Sequence, residues 1–464
     1  MARVVIDGTI YEAKAGEKLS DLLIRTGNAI PMPCGGRGSC GKCRVTVNGQ
    51  PELACLYGIE SDIEVTLPER ETILSETGAA ETGQLTTRCA LALDIGTTTL
   101  ALALVSSDDG RILRVVTRPN PQRAYGADVM SRIGYCREHG PTGLQLAVIG
   151  AVNEMRRELK APPVETLYAA GNTTMLHLFF GADCSAMGAA PYPPVFLDEK
   201  TAPGESLGLP FIKNVISLPG AAAFVGADLT AGLNFVGLPP EGSHRLLIDL
   251  GTNAEVVLFS RESALCTAAA AGPCFEGANV SCGMSASPGA ICAYSAQGCH
   301  TINDAPAKGV CGTGLVDVIA TLLDDGTVDE TGYMECGEYE LAPGVVLTQG
   351  DVRQYQLAKS AVCSAVQALV KRQGISFDAI DGLYISGGFS AKINLDNAVR
   401  TGLLPGELRD RCVSVNNSSL LGTAKYACEH NDLSVYLDRM QYVDLAADPV
   451  FSDLFIQNMT FEEA

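Results

Sequence analysis

The sequence lacks any apolar run long enough to cross a membrane: no stretch of about 18 uninterrupted apolar residues occurs in it. Its first residues also lack the pattern of a secretory signal peptide, because Arg3, Asp7 and Glu12 interrupt any apolar run there. We therefore expect a cytoplasmic protein that has no membrane partner.

Basic residues are scarce relative to acidic ones. The chain has 33 Lys and Arg against 53 Asp and Glu, which gives a formal net charge of −20. A surface of this sign repels polyphosphate, so nucleic acid is excluded as an expected partner. Histidine is scarce as well, and the five histidines are too dispersed to indicate one shared site: His139, His177, His244, His300 and His430.

Apolar residues and cysteines, by contrast, are abundant. Hydrophobic residues make up 47% of the 464 positions, which predicts sizeable cores and two or three domains. The chain has 17 cysteines. Because the cytosol keeps thiols reduced, we expect most of them to be buried as small hydrophobic residues and a subset to hold metal.

The first 68 residues read as short strands with one helix. Residues 3–7 and 10–12 flank Gly8 as a hairpin, and Leu19, Leu22 and Leu23 give residues 18–26 helical spacing. Further strands are predicted at 42–47 and 62–67. This order is typical of a β-grasp domain over 1–68. The polar residues 69–88 have no clear periodicity and read as a linker.

From Cys89 onward, predicted strands and helices alternate, and the sequence contains an internal echo. LALDIGTTTLALALV at 91–105 resembles LLIDLGTNAEVVLF at 246–259. Two such copies predict a duplicated α/β fold with lobe I at 89–243 and lobe II at 244–464, which includes a C-terminal return segment.

Four cysteines have the spacing of an iron–sulfur site, C-x5-C-x2-C-x11-C: Cys34, Cys40, Cys43 and Cys55. A [2Fe-2S] cluster takes four thiolates, and one loop can supply three of them if its backbone curls around the metal. Four glycines allow this curl: Gly35, Gly36, Gly38 and Gly41. The stretch resembles plant-type and adrenodoxin-type ferredoxins, with one extra residue between the first two cysteines and a short last gap.

Two other interpretations of the cysteines have less support in the sequence. A structural zinc site usually pairs two C-x2-C knuckles, and only one is present. Cys292, Cys299 and Cys311 come nearest to a second cluster, but no glycine curl accompanies them. The cluster is therefore the preferred interpretation of the N-terminal four, and burial is preferred for the others.

Two phosphate-binding turns are predicted at matching places in the repeats. Each follows an apolar strand that ends in an aspartate, and a glycine then allows a tight turn whose hydroxyls and amides can receive phosphate oxygens. Either aspartate could hold Mg²⁺ through water. The expected nucleotide-binding residues are Asp94, Gly96, Thr97, Thr98 and Thr99 in the first turn, and Asp249, Gly251, Thr252, Asn253 and Glu255 in the second.

A third glycine motif, Tyr384–Phe389, is a predicted strand that runs into Gly387 and Gly388, where a backbone can approach adenine or ribose closely. In this order the three motifs resemble the phosphate-1, phosphate-2 and adenosine motifs of the acetate and sugar kinase, Hsc70 and actin superfamily. The alternative is that all three are ordinary structural turns. The resemblance implies ATP, Mg²⁺ and an actin-like ATPase of RNase H-like lobes.

The catalytic carboxylate is predicted from its position between the phosphate turns. Superfamily kinases place such a group near VGADLT at 225–230, which makes Asp228 the candidate, with Asp94 in the first turn as a second catalytic residue. Asp183 is an alternative. Asp228 could equally cap a helix predicted at 229–235.

A ferredoxin fused ahead of this ATPase resembles the reductive activators of corrinoid proteins. The resemblance covers nearly the whole chain and includes AGNTTMLH at 170–177, GADLTAGL at 226–233, GPCFEG at 272–277 and a C-terminal DPVFSDLF. It implies an ATP-hydrolysing redox activator that transfers one electron from the cluster to Co(II) of a methyltransferase corrinoid protein and gives Co(I). The implied partners are that corrinoid protein and a ferredoxin or flavoprotein electron donor, and a homodimer is a further expectation.

Larger family members carry a middle domain, and because only about twenty residues separate cluster module and ATPase, we expect a short form without it. Other functions stay open. They are a small-molecule kinase with a regulatory ferredoxin, an ATP-dependent activator of another low-potential metalloenzyme such as a radical-forming dehydratase, and a plain electron carrier with vestigial ATPase lobes.

Overall fold

The structure is a computed structural model that describes residues 1–26, 28, 30, 32, 36, 38, 43–68, 88–251, 253–388 and 392–461. Its residues form two compact units, one that ends at Leu218 and one that begins at Pro219. The predicted linker at 69–88 lies outside the described residues, apart from Arg88. Within the described ranges, no helix is both long enough and apolar enough to span a bilayer.

The N-terminal module of the first unit is a β-grasp fold, as predicted. Its five-stranded sheet has the order β2-β1-β7-β4-β5, with β1 parallel to β7. Helix α1 is amphipathic and buries Leu19, Leu22 and Leu23 in the core of this module. The elements are β1 (Ala2–Ile6), β2 (Thr9–Ala13), β3 (Glu17–Lys18), α1 (Leu19–Arg25), β4 (Arg44–Val47), β5 (Gln50–Leu53), β6 (Gly58–Ile59) and β7 (Ile63–Thr66).

The rest of the first unit is a six-stranded sheet with three helices. Its central strands are almost entirely apolar, which suits a sheet that is covered on both faces. The elements are β8 (Cys89–Ile95), β9 (Thr99–Ser106), β10 (Ile112–Pro119), α2 (Val129–His139), α3 (Thr142–Glu158), β11 (Val164–Gly171), α4 (Thr173–Phe179), β12 (Lys200–Pro203) and β13 (Ile212–Ser217).

The second unit has its own six-stranded sheet and a core centred on two helices, α6 and α7. The 25-residue α7 begins at a capping box made by Thr348 and Asp351, and it ends at Gly374 in the left-handed region. The elements are α5 (Ala227–Val236), β14 (His244–Leu250), β15 (Ala254–Phe259), β16 (Ala264–Ala269), β17 (Ala290–Ser295), β18 (Gly298–Thr301), β19 (Gly309–Val310), α6 (Gly312–Asp324), β20 (Glu338–Ala342), β21 (Val345–Thr348), α7 (Gln349–Gln373), β22 (Ile380–Ser386), α8 (Leu395–Arg400), β23 (Cys412–Ser414), α9 (Ser418–Glu429), α10 (Ser434–Leu437), β24 (Met440–Tyr442) and α11 (Pro449–Gln457).

The two six-stranded sheets repeat one topology, which confirms the predicted duplication. The first contains the order β10-β9-β8-β11-β13 and the second the order β16-β15-β14-β22-β23. In both, an antiparallel three-stranded meander is followed by two strands parallel to its first strand. The sheets differ at one edge, where β12 is antiparallel to β13 but β24 is parallel to β16.

Candidate cluster and nucleotide sites

A short hairpin brings two of the predicted cluster cysteines together. Strands β4 and β5 are joined by Asn48 and Gly49, both with positive φ, as a tight two-residue hairpin turn requires. Cys43 directly precedes β4 and Cys55 follows β5 by one residue, and the N–H of Ala54 donates to the carbonyl of Cys43 at 3.0 Å. The predicted "short last gap" is therefore the length of this hairpin.

The Sγ atoms of Cys43 and Cys55 lie 3.2 Å apart, and both side chains are buried. This is well beyond the roughly 2.05 Å of a disulfide bond. Two thiolates bound to one tetrahedral metal at about 2.3 Å would be separated by about 3.7 Å, so a small adjustment would let this pair share one iron. The paired thiolates therefore fit a [2Fe-2S] cluster.

Two glycines of the predicted loop have the backbone that the curl needs. Gly36 and Gly38 have φ values of +81° and +76°, and a Cβ on Gly38 would come within 2.8 Å of the Leu56 side chain. The other two predicted ligands, Cys34 and Cys40, lie outside the described residues, as do Gly35 and Gly41. They stay predictions.

The other described cysteines behave as buried thiols. Burial raises the pKa of Cys266, Cys274 and Cys363 to about 12, so these thiols stay protonated and unreactive. Over the part of the chain that the structure describes, no three cysteine, histidine or acidic side chains converge as a metal site. Cys292, Cys299 and Cys311 do not form one.

The first phosphate turn connects β8 to β9 in the first unit. Asp94 lies opposite Ala101 on β9 and Ala170 on β11, next to the last residue of its strand. Only glycine fits at position 96, because a Cβ there would be 2.7 Å from the carbonyl oxygen of Thr99. Thr98 completes the turn, and Thr99 begins β9.

Two buried side chains hold this turn through its carbonyl groups. Asn120 donates from Nδ2 to the carbonyl of Gly96 at 2.8 Å and from its backbone N–H to that of Thr98 at 2.8 Å. Arg132 is fully buried on α2 and donates from Nη2 to the carbonyl of Thr97 at 2.6 Å. These hydrogen bonds from buried side chains fix the conformation of the turn. No pattern in the sequence predicts them.

We expect Arg132→Met to weaken this support. Methionine keeps the length of the side chain but cannot donate, so the carbonyls of Thr97 and Gly126 lose their donor. The free energy of unfolding should fall by about 2–4 kcal/mol, measured by denaturant titration, and Mg-ATP affinity should fall with it. Arg137→Met, at an exposed position of the same helix, is the matched control. Equal stability of both variants would contradict the supporting role of Arg132.

The second phosphate turn connects β14 to β15 in the second unit. Asp249 pairs with Glu255 on β15 and with Ser386 on β22, in the register that Asp94 occupies in the other sheet. The N–H of Gly251 donates to the carbonyl of Asn253 at 2.9 Å. Thr252 lies outside the described residues.

Four carboxylates surround the second turn. Withdrawal from water raises the pKa of the Glu255 carboxyl well above its usual value. Three neighbouring carboxylates raise this pKa further: Asp228, Asp249 and Glu276. A methyl group built on Gly251 would lie 3.9 Å from Oε1 of Glu276, so this carboxylate faces the turn itself.

Such a group of carboxylates is suited to a hydrated cation. Mg²⁺ usually keeps several waters and takes one or two carboxylates together with nucleotide phosphates, so it needs no preformed cage of three protein ligands. Glu276 was missed as a candidate. The only signal for it was the motif GPCFEG, to which no role had been given.

The glycine motif after β22 packs its backbone against the end of β14, and its approach to adenine or ribose stays a prediction. Gly387 has a φ of +117°, and a Cβ there would be 2.1 Å from the carbonyl oxygen of Leu250. Gly388 faces open space, with nothing within 4 Å of its Cβ position. Gly171 is the counterpart in the first unit, because its Cβ would meet the carbonyl of Ile95 at 2.7 Å. The motif AGNTTMLH thus repeats the geometry of ISGGF.

Asp228 and its alternative Asp183 differ in their surroundings, and the catalytic role of Asp94 stays a prediction. Helix α5 begins at Ala227 with Gly226 at its N-cap position, so Asp228 is not the N-cap residue. It lies in the first turn, where its Oδ1 accepts a hydrogen bond from the N–H of Leu229 at 2.9 Å, so part of the helix-capping role remains. Asp183 accepts hydrogen bonds from the N–H and hydroxyl of Ser185, which lower the pKa of its carboxyl and make a local turn. Only Asp228 belongs to the group of carboxylates around a phosphate turn.

Paired cluster thiolates in a β-grasp module and a duplicated fold with carboxylate-flanked phosphate turns define an iron–sulfur protein of the actin-like ATPase class. Three family profiles match the chain: a 2Fe-2S iron–sulfur cluster binding domain at 4–78, the RACo middle region at 89–240, and the C-terminal domain of RACo, the ASKHA domain, at 243–464.

Individual relatives agree with these profiles. The corrinoid activation enzyme RamQ of Eubacterium limosum is 30% identical over 418 residues, which cover 80% of this chain and 70% of RamQ. A Methanosarcina barkeri reductase of a Co(II) methylated amine-specific corrinoid protein is 26% identical over 80% of this chain and 76% of its own. The chain belongs to the RACo family of reductive activators of corrinoid proteins.

A solved structure has the same fold. The reductive activator for a corrinoid, iron-sulfur protein superposes with a TM-score of 0.73 at 24% identity and covers 99% of this chain and 98% of its own. The expectation of a short form without the middle domain is wrong, because residues 89–240 match the family's middle region. That region contains the first copy of the repeated sheet, which is why its sequence resembles an ATPase lobe.

Proposed function

We propose that the chain uses ATP to drive one-electron reduction of the cobalt of a corrinoid protein from Co(II) to Co(I). The observation that carries this proposal is the combination, on one chain of this family, of paired thiolates in the N-terminal module and a carboxylate-flanked phosphate turn in the second unit. When bound, the cluster supplies one electron at a time. We further propose a cytoplasmic location, a methyltransferase corrinoid protein as substrate, a ferredoxin or flavoprotein as electron donor, and a homodimer.

The free-energy cost of reducing the cobalt explains why ATP is needed. Cobalt(II) in a corrinoid is harder to reduce than a plant-type ferredoxin cluster, whose potential lies near −400 mV. An uphill gap of about 100 mV costs about 2.3 kcal/mol for one electron. Coupling between two binding sites commonly supplies about 1–3 kcal/mol, so nucleotide binding can offset the gap and hydrolysis can reset the protein.

The residues around the phosphate turns have different roles in the binding and hydrolysis of ATP. Asp94 or Asp249 would hold Mg²⁺ through water, and the threonines and amides of each turn would bind phosphate oxygens. Asp228 orients and deprotonates the attacking water, and Glu276 adds negative charge where the cation is held. Gly387 and Gly388 would leave room for the adenosine, because neither has a side chain and nothing lies within 4 Å of the Cβ position of Gly388.

The test compares ATP hydrolysis and the cobalt oxidation state in one reaction. We expect hydrolysis by the protein alone to be slow and to rise when a corrinoid protein in the Co(II) state is added. Visible spectroscopy should show Co(I) only with reductant and ATP together, and Asp228→Asn should reduce the stimulated rate at least tenfold. Accumulation of a phosphorylated small molecule without any corrinoid protein would contradict this proposal and would favour the small-molecule kinase.

A further inference from the structure

Residues 458–461, the last that the structure describes, lie along helix α7, and we name them the C-terminal strap. Side chains of α7 hold the backbone of the strap. Gln356 donates from Nε2 to the carbonyl of Met459 at 2.6 Å, and Lys359 donates from Nζ to the carbonyl of Thr460. Main-chain carbonyls are what an extended peptide offers at every position, so α7 holds the strap as it would hold a bound peptide.

The face of α7 beneath the strap is a stripe of polar side chains at helical spacing. Asn458 of the strap donates from Nδ2 to Oγ of Ser364 and to Oε1 of Gln367, both at 2.8 Å. The buried face of a core helix is normally apolar, whereas a polar stripe is the ordinary face of a helix toward water. Helix α7 therefore also suits a state in which water replaces the strap. The stripe consists of Gln356, Lys359, Ser360, Ser364 and Gln367.

Lys359 makes the docking of the strap costly. Its side chain is 2% exposed, and its ammonium group donates to the Thr460 carbonyl and lies 5.0 Å from the centre of the Phe461 ring. Burial lowers the pKa of this amine to about 8, because withdrawal from water disfavours its charge. The carbonyl and the ring are neutral and offset only part of that cost. Release of the strap would return the charge to water, which brings the docked and released states closer in free energy.

The strap ends on an aromatic contact that leads to the second phosphate turn. The ring of Phe461 stacks on Tyr355 of α7 with 6.3 Å between the centroids, and Tyr355 packs edge-on against Phe275 at 5.8 Å. All three side chains are buried. Phe275 directly precedes Glu276, whose carboxylate faces the turn at Gly251. Two ring contacts thus connect the strap to the group of carboxylates around this turn.

We propose that the C-terminal strap is a releasable positioning element, whose docking on α7 holds Phe275 and Glu276 in place for Mg-ATP. Phe461 is a positioning residue in this arrangement, because it supports Tyr355 on the side opposite Phe275. Close-packed interiors transmit such changes, so release of the strap lowers the affinity for Mg-ATP. The coupling is reciprocal, and bound Mg-ATP holds the strap more firmly. This inference rests on the nucleotide site of the proposed function.

The test follows hydrogen exchange of the strap by mass spectrometry in the full chain, with and without Mg-ATP. The reporter is the peptide that contains the N–H of Phe461, which donates to the carbonyl of Glu330 at 2.7 Å. Mg-ATP should slow exchange there at least fivefold in wild type. Calorimetry on the same sample measures Mg-ATP binding. No binding would overturn the proposed function together with this inference, whereas binding without slower exchange would overturn this inference alone.

Two variants loosen the strap at different points. Phe461→Ala removes the ring from the stack and should weaken Mg-ATP binding at least fivefold. Asn458→Ala removes only the two hydrogen bonds to α7, so it tests the strap even if Phe461→Ala folds poorly, and it should weaken binding at least twofold. Both should speed exchange of the strap at least fivefold. Ile456→Ala, at a 72% exposed position of α11, is the matched control and should change neither quantity.

Steady-state hydrolysis of ATP separates positioning from general destabilisation. In Asn458→Ala, saturating Mg-ATP docks the strap again, so KM for Mg-ATP should rise while kcat stays within about twofold of wild type. A fall in kcat with KM unchanged would mean that the strap only packs the core, and it would overturn the inference. Faster exchange of the strap with Mg-ATP affinity as in wild type would overturn it as well.

Discussion

Replacing Cys55 by alanine should abolish Co(I) formation and leave ATP binding intact. The variant removes one of two thiolates whose Sγ atoms are 3.2 Å apart. The iron that they would share therefore keeps only one of these two protein ligands. Wild type should contain about two irons and two sulfides per chain, and Cys55→Ala should contain almost none. Mg-ATP affinity should stay within twofold of wild type, because the nucleotide turns lie in other domains.

Cys43→Ala should behave in the same way, and Cys336→Ala is the matched control. Cys336 is an exposed free thiol in the second unit, so its loss should change neither the iron content nor the reaction. Four irons per wild-type chain, or zinc alone, would contradict the [2Fe-2S] assignment. A variant that keeps its visible spectrum without Cys55 would show that this thiolate is not a ligand.

The duplicated fold could be predicted because its signal is local. In each repeat an apolar strand, a turn with aspartate and glycine, and a second apolar strand follow one another within about fifteen residues, and apolar strands are what a covered sheet requires. The local nature of this signal also explains why the middle domain was wrongly expected to be absent. A region that contains one copy of the repeat reads as an ATPase lobe, whatever its role in the family.

Helix boundaries and supporting contacts were harder to predict. Aspartate is a preferred N-cap, yet Gly226 takes that position with extended backbone, and Asp228 therefore lies inside α5. Arg132 contacts a turn 35 residues away, and Glu276 reaches a turn 25 residues away, so neither contact leaves a periodic pattern in the sequence. Such contacts depend on how elements pack, which spacing alone does not encode.

Replacing Asp249 by asparagine should weaken Mg-ATP binding at least tenfold, about 1.4 kcal/mol, while the cluster and its spectrum are kept. Asp249 is the penultimate residue of the strand that leads into the second phosphate turn, and it lies opposite Glu255. Asparagine preserves the shape and removes the charge that attracts Mg²⁺. Isothermal titration calorimetry measures the affinity, and Asp453→Asn, at an exposed position of α11, is the matched control.

The sign of the effect should depend on the cation. Without Mg²⁺ the carboxylates repel the phosphates and one another, which is part of why the pKa of Glu255 is raised. In EDTA, Asp249→Asn should therefore bind ATP at least as tightly as wild type, and its melting temperature should be equal or higher. A loss of affinity of the same size with and without Mg²⁺ would mean that Asp249 only shapes the turn. A loss of ATP affinity that occurs only with Mg²⁺ would assign the Asp249 carboxylate to the metal. Removing a negative charge weakens the binding of an anion only where that charge helps to hold a cation.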